Sequence, residues 1–173
     1  EVDLLGRSMG KQDHYAAAYG NFNVFTFHSD EVVQVDPVLY KPEVREKLQK
    51  NLMLFYTAMK RDASKILESQ QDQTDNKFDS LRKLQALAEP LRDILSHGKD
   101  LNQFGELLHQ GWVLKRELTD DISSLAIDEY YKKAIDAGAI GGKILGAGGG
   151  GFFLFYAEEG KQGAVKDALK DLY

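Results

Sequence analysis

Residues 141–156 have the sequence GGKILGAGGGGFFLFY, and we interpret the other segments of the chain in relation to them. Glycine is concentrated here: the segment has seven of the 16 glycines found in 173 residues. The glycines stand between two apolar runs, 139–145 and 152–156, whose composition predicts two β-strands. Glycine between strands permits positive φ angles and lets the backbone approach another group closely.

The group approached by this loop is either a second stretch of backbone or an anionic ligand, because successive N–H groups without side chains can bind anions. The loop is not a Walker loop, since no Gly-Lys-Ser/Thr opens a helix after it. It is not a dinucleotide-binding fingerprint either, since no helix with a downstream acidic residue follows. Lys143 precedes the glycines and alternates with Ile144 on the predicted strand. The residues alone therefore leave open a ligand-free hairpin and a phosphate-related loop.

Composition restricts the class of protein. A hydrophobic content of 43% is enough for the core of about one domain. The net charge of −5 argues against a nucleic-acid-binding protein. The chain has no cysteine, which excludes disulfides and thiolate metal sites, and its four histidines lack metal-ligand spacing. No apolar run approaches the roughly 18 residues of a membrane helix, and no signal peptide opens the chain, so we expect a cytoplasmic protein without a membrane partner.

The pattern of the remaining segments predicts an α+β fold with helices packed on one face of an antiparallel sheet. A further strand after the last helix would complete a ferredoxin-like sheet. The predicted strands are a hairpin at 23–27 and 31–35 and a buried strand at 52–57, besides the two around the glycines. The predicted helices are 11–19, 59–69, 78–95 with a kink at Pro90, one between Asp100 and Arg116, 125–136 and 161–172, with a polar loop at 69–77.

Charged residues at helix ends have two interpretations at this point. Asp13 lies in the first turn of the helix at 11–19, where the helix dipole favours a carboxylate whether or not it is functional. Lys115 and Arg116 end a helix, where basic residues suit the dipole, and the alternative is a role in binding phosphate. Pattern alone favours the structural interpretation for all three.

Several segments together resemble one superfamily. Residues 143–151, KILGAGGGG, are similar to the third signature motif of the galactokinase, homoserine kinase, mevalonate kinase and phosphomevalonate kinase (GHMP kinase) superfamily. Residues 10–20, GKQDHYAAAYG, resemble the segment after its phosphate loop, and 54–61 and 108–112 extend the match. The resemblance is nearest to the D-glycero-D-manno-heptose 7-phosphate kinase branch. It covers nearly the whole chain, but only the C-terminal half of such an enzyme.

The resemblance implies a GHMP-kinase C-terminal domain at 37–173, preceded at 1–36 by a helix and hairpin that remain from the nucleotide-binding domain. It implies ATP- and Mg²⁺-dependent phosphorylation of the anomeric hydroxyl of a heptose 7-phosphate. Alternatives are a fucose- or galactose-type acceptor, or a non-catalytic regulatory or assembly module with the same fold. The open reading frame upstream of Glu1 distinguishes the kinase from the module.

The resemblance also assigns roles to residues. Asp13 stands where some members place a catalytic aspartate that accepts or orients the proton of the attacking hydroxyl. The loop glycines would allow packing near the nucleotide phosphates and the reacting groups. Lys143 is either a charge near the substrate or a strand residue, and Arg61 either binds the distal phosphate of the sugar or is a solvated charge. The loop glycines concerned are Gly146, Gly148, Gly149 and Gly150.

The chain also departs from the superfamily pattern. The second motif, a Pro-x-x-x-Gly-Leu-x-Ser-Ser loop that holds the ATP phosphates, is absent from these residues, as is the N-terminal motif. His14 stands where Gln is expected, and Ala58 where Gly is expected. We therefore expect these 173 residues to be a fragment without ATP turnover. Strand edges left unpaired in a fragment could pair two copies into a homodimer.

Overall fold

The structure is a computed structural model that describes residues 10–60, 63–98 and 100–173. Within these ranges helices alternate with two small antiparallel sheets. The elements are α1 (Gln12–Tyr19), β1 (Asn23–Phe27), β2 (Val33–Pro37), α2 (Pro42–Asn51), β3 (Leu52–Tyr56), α3 (Ala63–Asp72), α4 (Phe78–Ala86), α5 (Ala88–His97), α6 (Asn102–Arg116), a 3₁₀ turn (Asp120–Ile122), α7 (Leu125–Asp136), β4 (Gly141–Ile144), β5 (Phe152–Tyr156) and α8 (Glu159–Ala168). None of these helices is long and apolar enough to cross a lipid bilayer.

The larger sheet has three antiparallel strands in the order β3-β5-β4, so the strand after the glycine loop is central. Its register aligns Leu54 with Leu154 and Lys143, and Phe55 with Phe153 and Ile144. Because side chains alternate across a strand, these two rows lie on opposite faces. This sheet, with its helices, confirms the predicted α+β class.

One face of this sheet is fully buried under α6, α7 and α8. Phe153 and Phe155 on the central strand are inaccessible to solvent and pack with Trp112, Tyr131 and the aliphatic residues of α7 and α8. The fully buried Trp112 comes from α6. Burying a side chain of this size contributes about 1.5–3 kcal/mol. The strand predicted at 152–156 therefore lies at the centre of the core.

The opposite face is covered at one end only. A second cluster that includes Leu48, Leu101 and Tyr156 covers this end, where Asn51 donates a 2.8 Å hydrogen bond to the Tyr156 hydroxyl. Toward the glycine loop the same face is open, and Leu54 is 56% exposed and Phe152 43% exposed. Helices therefore cover one face completely and the other in part.

Helix α6 lies directly against the edge of β4. A Cβ added to Gly141 would stand 1.9 Å from the carbonyl oxygen of Gly105 on α6, so neither glycine has room for a side chain. Tyr131 on α7 covers the same edge: its hydroxyl accepts the backbone N–H of Gly142 and lies 2.7 Å from Nδ1 of His109. Burial raises the pKa of Tyr131 to about 12. Gly141 thus serves close packing of α6 against β4, whereas Gly142 leaves space for Phe155 and the Leu154 carbonyl on β5.

The smaller sheet is the β1–β2 hairpin, on which α1 rests. The ring of Tyr15 on α1 lies 6.0 Å from that of Phe25 and 5.8 Å from that of Phe27, and Lys11 forms an ion pair with Glu31. No residue of α1 is buried. Half-buried and exposed aromatic rings, rather than a buried stripe, therefore hold this helix on the hairpin.

Four predicted boundaries differ most from those of the structure. The second hairpin strand is 33–37 rather than 31–35, because Glu31 adopts φ +68° in a wide turn closed by His28 and Val32. The helix predicted at 59–69 is α3, and it continues to Asp72 into the segment predicted as a polar loop. The last helix is 159–168 rather than 161–172.

The fourth wrong boundary is the kinked helix predicted at 78–95, which is two helices that meet at Leu87. Pro90 lies in the first turn of α5, where a backbone N–H has no partner within the helix. Proline is tolerated there, so it marks the start of a new helix rather than a kink.

Candidate functional site

The loop between β4 and β5 owes its shape to its glycines. Gly146, Gly148, Gly149, Gly150 and Gly151 all have φ between +69° and +147°, a region that residues with a side chain rarely adopt. A Cβ on Gly148 would lie 2.9 Å from the backbone of Ile122. A Cβ on Gly150 would lie 2.8 Å from the carbonyl oxygen of Met59. At these two positions the group approached is a second backbone, one of the two alternatives that the sequence left open.

Other parts of the chain hold the backbone of this loop in place. The carbonyl of Gly146 accepts from the Lys115 ammonium, and the carbonyl of Ala147 accepts from the Gln70 amide at 3.2 Å. The carbonyl of Gly151 accepts from both the backbone N–H and the hydroxyl of Thr57, at 2.8 and 2.9 Å. Bonds from α3, α6 and the end of β3 therefore fix the path of the loop.

The 3₁₀ turn Asp120–Ile122 packs against the glycine loop. The N–H of Gly149 donates to the carbonyl of Ile122 at 2.8 Å, and Ile122 is fully buried. Thr119 caps this turn, and its hydroxyl lies 2.8 Å from that of Ser69 on α3. Gly146 is exposed, whereas Ala147, Gly148 and Gly150 are buried. The loop is thus held in place by its contacts, and only a small part of its backbone is exposed to solvent.

A cavity of about 250 Å³ opens beside the loop, between α3 and the start of α4. We call it the α3–α4 cavity. It is linked to the loop through Gln70, which lines the cavity and binds the Ala147 carbonyl. The described residues that line it are Gly10, Leu67, Gln70, Gln71, Thr74, Lys77, Leu81 and Leu118.

Asp13 lies in the first turn of α1 and is exposed. Gly10, three residues earlier, lines the α3–α4 cavity. Asp13 itself does not line the cavity, but Gly10, two residues before α1 begins, lies in the wall of a cavity that Gln70 joins to the glycine loop.

Lys143 occupies the position on β4 that alternation predicted, in register with Leu154. Its side chain lies on the partly open face of the sheet, the face that carries Leu54 and Phe152. The side chain is half-buried, and burial lowers its pKa. No ion pair with Lys143 occurs in the part of the chain that the structure describes. Arg61, the other predicted phosphate-binding residue, lies outside the described residues.

Two residues that bind the loop, Lys115 and Gln70, and one that lines the cavity beside it, Lys77, were not predicted to do so. Lys115 was interpreted through the helix dipole, but its ammonium binds the Gly146 carbonyl. Gln70 and Lys77 lay in a segment predicted to be a polar loop, where nothing distinguished them from their neighbours. Arg116 forms a 2.7 Å ion pair with Asp128 and stands over the Trp112 ring, which supports its structural interpretation.

The chain belongs to the GHMP kinases: the family model described as "GHMP kinases C terminal" matches residues 84–173, just over half of it. The chain is 29% identical over 172 residues to the D-glycero-alpha-D-manno-heptose 7-phosphate kinase of Campylobacter jejuni. That match covers 98% of this chain and 50% of the enzyme. A bifunctional fucokinase/GDP-fucose pyrophosphorylase of Arabidopsis thaliana is 28% identical over 166 residues, which cover 92% of this chain and 16% of that protein.

A solved structure gives the same result. The crystal structure of a D-glycero-D-manno-heptose 1-phosphate kinase from Bacteriodes thetaiotaomicron superposes with a TM-score of 0.72 at 28% identity. The alignment covers 99% of this chain and 46% of that one. The resemblance to this family and the predicted GHMP-kinase C-terminal fold are thereby confirmed. The chain spans about half the length of the C. jejuni enzyme.

Proposed function

We propose that this chain is the C-terminal part of an ATP-dependent cytoplasmic sugar kinase that phosphorylates a heptose 7-phosphate at its anomeric hydroxyl. The observation that carries the proposal is the glycine loop, bonded through Gln70 to a polar cavity whose wall includes Gly10, two residues before α1 begins. The 29% identity to a heptose 7-phosphate kinase, in an alignment that covers 98% of this chain, supports the choice of acceptor. Residues 1–36 would belong to the nucleotide-binding domain and 37–173 to the C-terminal domain.

Phosphoryl transfer asks a protein mainly to position the reactants and to stabilise charge. In the proposed mechanism the Asp13 carboxylate accepts the proton of the anomeric hydroxyl as the hydroxyl oxygen attacks the γ-phosphorus of ATP. The bond from that phosphorus to the bridging oxygen breaks, and ADP is the leaving group. Gly146 and Gly149 present backbone to the reacting groups, while Gly148 and Gly150 keep the loop against Ile122 and Met59. Lys143 would act as a charge near the substrate, and Arg61 would bind its distal phosphate.

Mg²⁺ would neutralise the nucleotide phosphates when bound with ATP. In the ranges 10–60, 63–98 and 100–173, no group of three or more His, Asp or Glu could ligate a metal ion. Proteins commonly hold Mg²⁺ with one or two carboxylates together with the phosphates of a substrate. We therefore assign Mg²⁺ to the nucleotide rather than to a cage formed by this chain.

The test uses the complete enzyme that contains this chain, assayed for ADP release with a panel of sugars. We expect turnover with heptose 7-phosphate and a 10²–10⁴-fold lower kcat for Asp13→Asn, the usual contribution of general-base catalysis. Asp30→Asn in the turn between β1 and β2 is the matched control and should keep wild-type kcat. Wild-type turnover by Asp13→Asn would make Asp13 structural.

The same panel separates the alternatives. The 28% identity to the fucokinase-containing plant protein is the observation in favour of a different acceptor. Preferred phosphorylation of fucose or galactose would keep the kinase and change its substrate. Absence of transfer to every sugar, in a protein that is folded and binds ATP, would favour a regulatory or assembly module.

A further inference from the structure

We propose that the α3–α4 cavity binds the phosphate group of the acceptor that does not react, with Lys77 as a cation for that phosphate in addition to Arg61. The inference rests on the proposed function, a kinase whose substrate already carries one phosphate. It adds a specific site and a specificity residue within the described part of the chain.

The charge of the cavity is opposite to that of the chain. The chain carries a net charge of −5, yet none of the described residues that line the cavity is acidic and one is a lysine. Asp72, Asp75 and Asp79 stand close in sequence, but they are exposed and do not line it. An anion can therefore enter the cavity without meeting a carboxylate among the described residues of its wall.

Lys77 is placed to receive such an anion. Its side chain is half-buried, and among the described residues no acid or hydrogen-bond acceptor pairs with its ammonium group. Helix α4 begins at the next residue, Phe78, so the positive end of that helix lies beside Lys77. Leu67, Leu81 and Leu118 form the apolar part of the wall, and exclusion of water by them strengthens a charge pair.

The other polar groups of the cavity fit the hydroxyls of a sugar. The Gln70 amide donates to the glycine loop and the Thr74 hydroxyl donates to the Gln70 carbonyl, which leaves their side-chain oxygens as acceptors. The Gln71 amide offers both donors and an acceptor. Because Gln70 joins the cavity to the loop, a sugar with its phosphate on Lys77 can extend toward the loop with its opposite end.

The cavity is also of a size suited to a small ligand. Its volume of about 250 Å³ lies just below the ~300–1,000 Å³ of sites that enclose drug-sized ligands. A phosphate with part of a sugar chain is a better match to it than a nucleotide. The acceptor, rather than ATP, is therefore the ligand that we assign to this cavity.

The experiment compares Lys77→Ala with wild type in the complete enzyme, using heptose 7-phosphate and the same heptose without phosphate. We expect KM for the phosphorylated sugar to rise about 10- to 100-fold, the usual effect of losing a hydrogen bond to a charged group. KM for the unphosphorylated sugar should change less than about threefold. Lys77→Arg should restore most of the loss, because it keeps the charge.

Lys83→Ala is the matched control, because Lys83 is an exposed lysine on α4 that does not line the cavity. It should leave both KM values unchanged, and thermal melting should show that all variants fold. Equal changes of KM for both sugars, or no change for either, would overturn the inference and leave the kinase proposal intact.

Failure of the proposed function is recognised separately, since the wild-type enzyme would then transfer phosphate to no sugar. In that case titration calorimetry with heptose 7-phosphate decides the inference. Binding that Lys77→Ala weakens and Lys83→Ala does not would support the cavity as a sugar-phosphate site. Absence of binding to the wild-type protein, or equal binding to all variants, would refute it.

Discussion

Individual glycines have different roles within the same loop. Gly148 and Gly150 are required by the backbones of Ile122 and Met59, which leave no space for a Cβ. Gly146 combines a φ of +73° with exposure to solvent. A substitution at Gly148 or Gly150 therefore tests the packing that holds the loop in place, separately from a catalytic role of the exposed Gly146.

Gly148→Ala should lower the free energy of unfolding by about 2–4 kcal/mol, from overpacking against Ile122 together with a positive φ. Chemical denaturation of the isolated chain measures the change. Gly163→Ala is the control, because Gly163 lies inside α8 with open space around it. It should raise stability by about 0.5–1 kcal/mol, the usual gain for alanine in a helix. Equal effects of both substitutions would show that the loop does not pack against the 3₁₀ turn.

Lys143→Met should raise the free energy of unfolding at pH 7 by about 1 kcal/mol, because a half-buried charge is replaced by an apolar chain of similar length. Burial lowers the pKa of Lys143, so the unfolded chain binds more protons above that lowered value. The contribution of Lys143 to stability therefore rises with pH until the unfolded lysine has titrated. Lys143→Met should remove this part of the pH dependence.

Denaturation between pH 7 and 11 measures this effect, and Lys166→Met, at an exposed position on α8, is the control. A stability of Lys143→Met below that of wild type at pH 7 would contradict the prediction. Kinase assays of the complete enzyme then test whether Lys143 also acts on the substrate. Lower activity of Lys143→Met despite its higher stability would identify Lys143 as a charge near the substrate.

At the scale of elements, the hydrophobic pattern predicted which segments form strands and helices, because alternation and helical spacing depend on local sequence. The strand at 152–156 and the helix at 125–136 have the predicted bounds. The break at Leu87 and the extension of α3 to Asp72 were missed. Both depend on packing and end geometry that residue type alone does not determine.

Helices α6 and α7 cover the edge of β4, and Tyr131→Phe should weaken this contact. Removing the hydroxyl leaves the Gly142 N–H and His109 Nδ1 without their partner, which should cost about 1–3 kcal/mol near pH 7. Tyr130→Phe, on the same helix, is the control and should change stability by less than about 0.5 kcal/mol. Wild-type stability in Tyr131→Phe would contradict the proposed closure of the edge.

The same variant tests the pKa of Tyr131, which burial raises to about 12. An unfolded tyrosine ionises near pH 10, so the folded protein keeps a proton that the unfolded chain has lost. The stabilising contribution is therefore full below about pH 10 and is lost as pH rises toward 12. Wild type should lose more stability than Tyr131→Phe across this interval, as measured by urea denaturation at each pH.

At the scale of the whole molecule, the chain has a complete core but only part of the proposed active site. The buried face of the sheet is filled by α6, α7 and α8, which should allow the chain to fold at least in part on its own. The phosphate loop of the superfamily is not among its residues. We therefore expect this chain to fold without catalysing phosphoryl transfer.

The isolated 173 residues should unfold cooperatively on heating and show no ATP turnover with heptose 7-phosphate. Circular dichroism follows the unfolding, and a coupled assay for ADP follows the turnover. The complete enzyme is the positive control for the assay. Clear turnover by the isolated chain would refute the prediction, and it would place the nucleotide site within these residues.

The sequence alone determined the glycine loop between two strands, the α+β class and the family, because each depends on residue type at fixed spacing. Tertiary structure alone decided what the glycines face, that Gln70 and Lys115 bind the loop, and that Lys77 shares a cavity with Gly10. These residues lie dozens of positions apart in the chain, and only the packing of α3, α4 and α6 around the sheet brings them together.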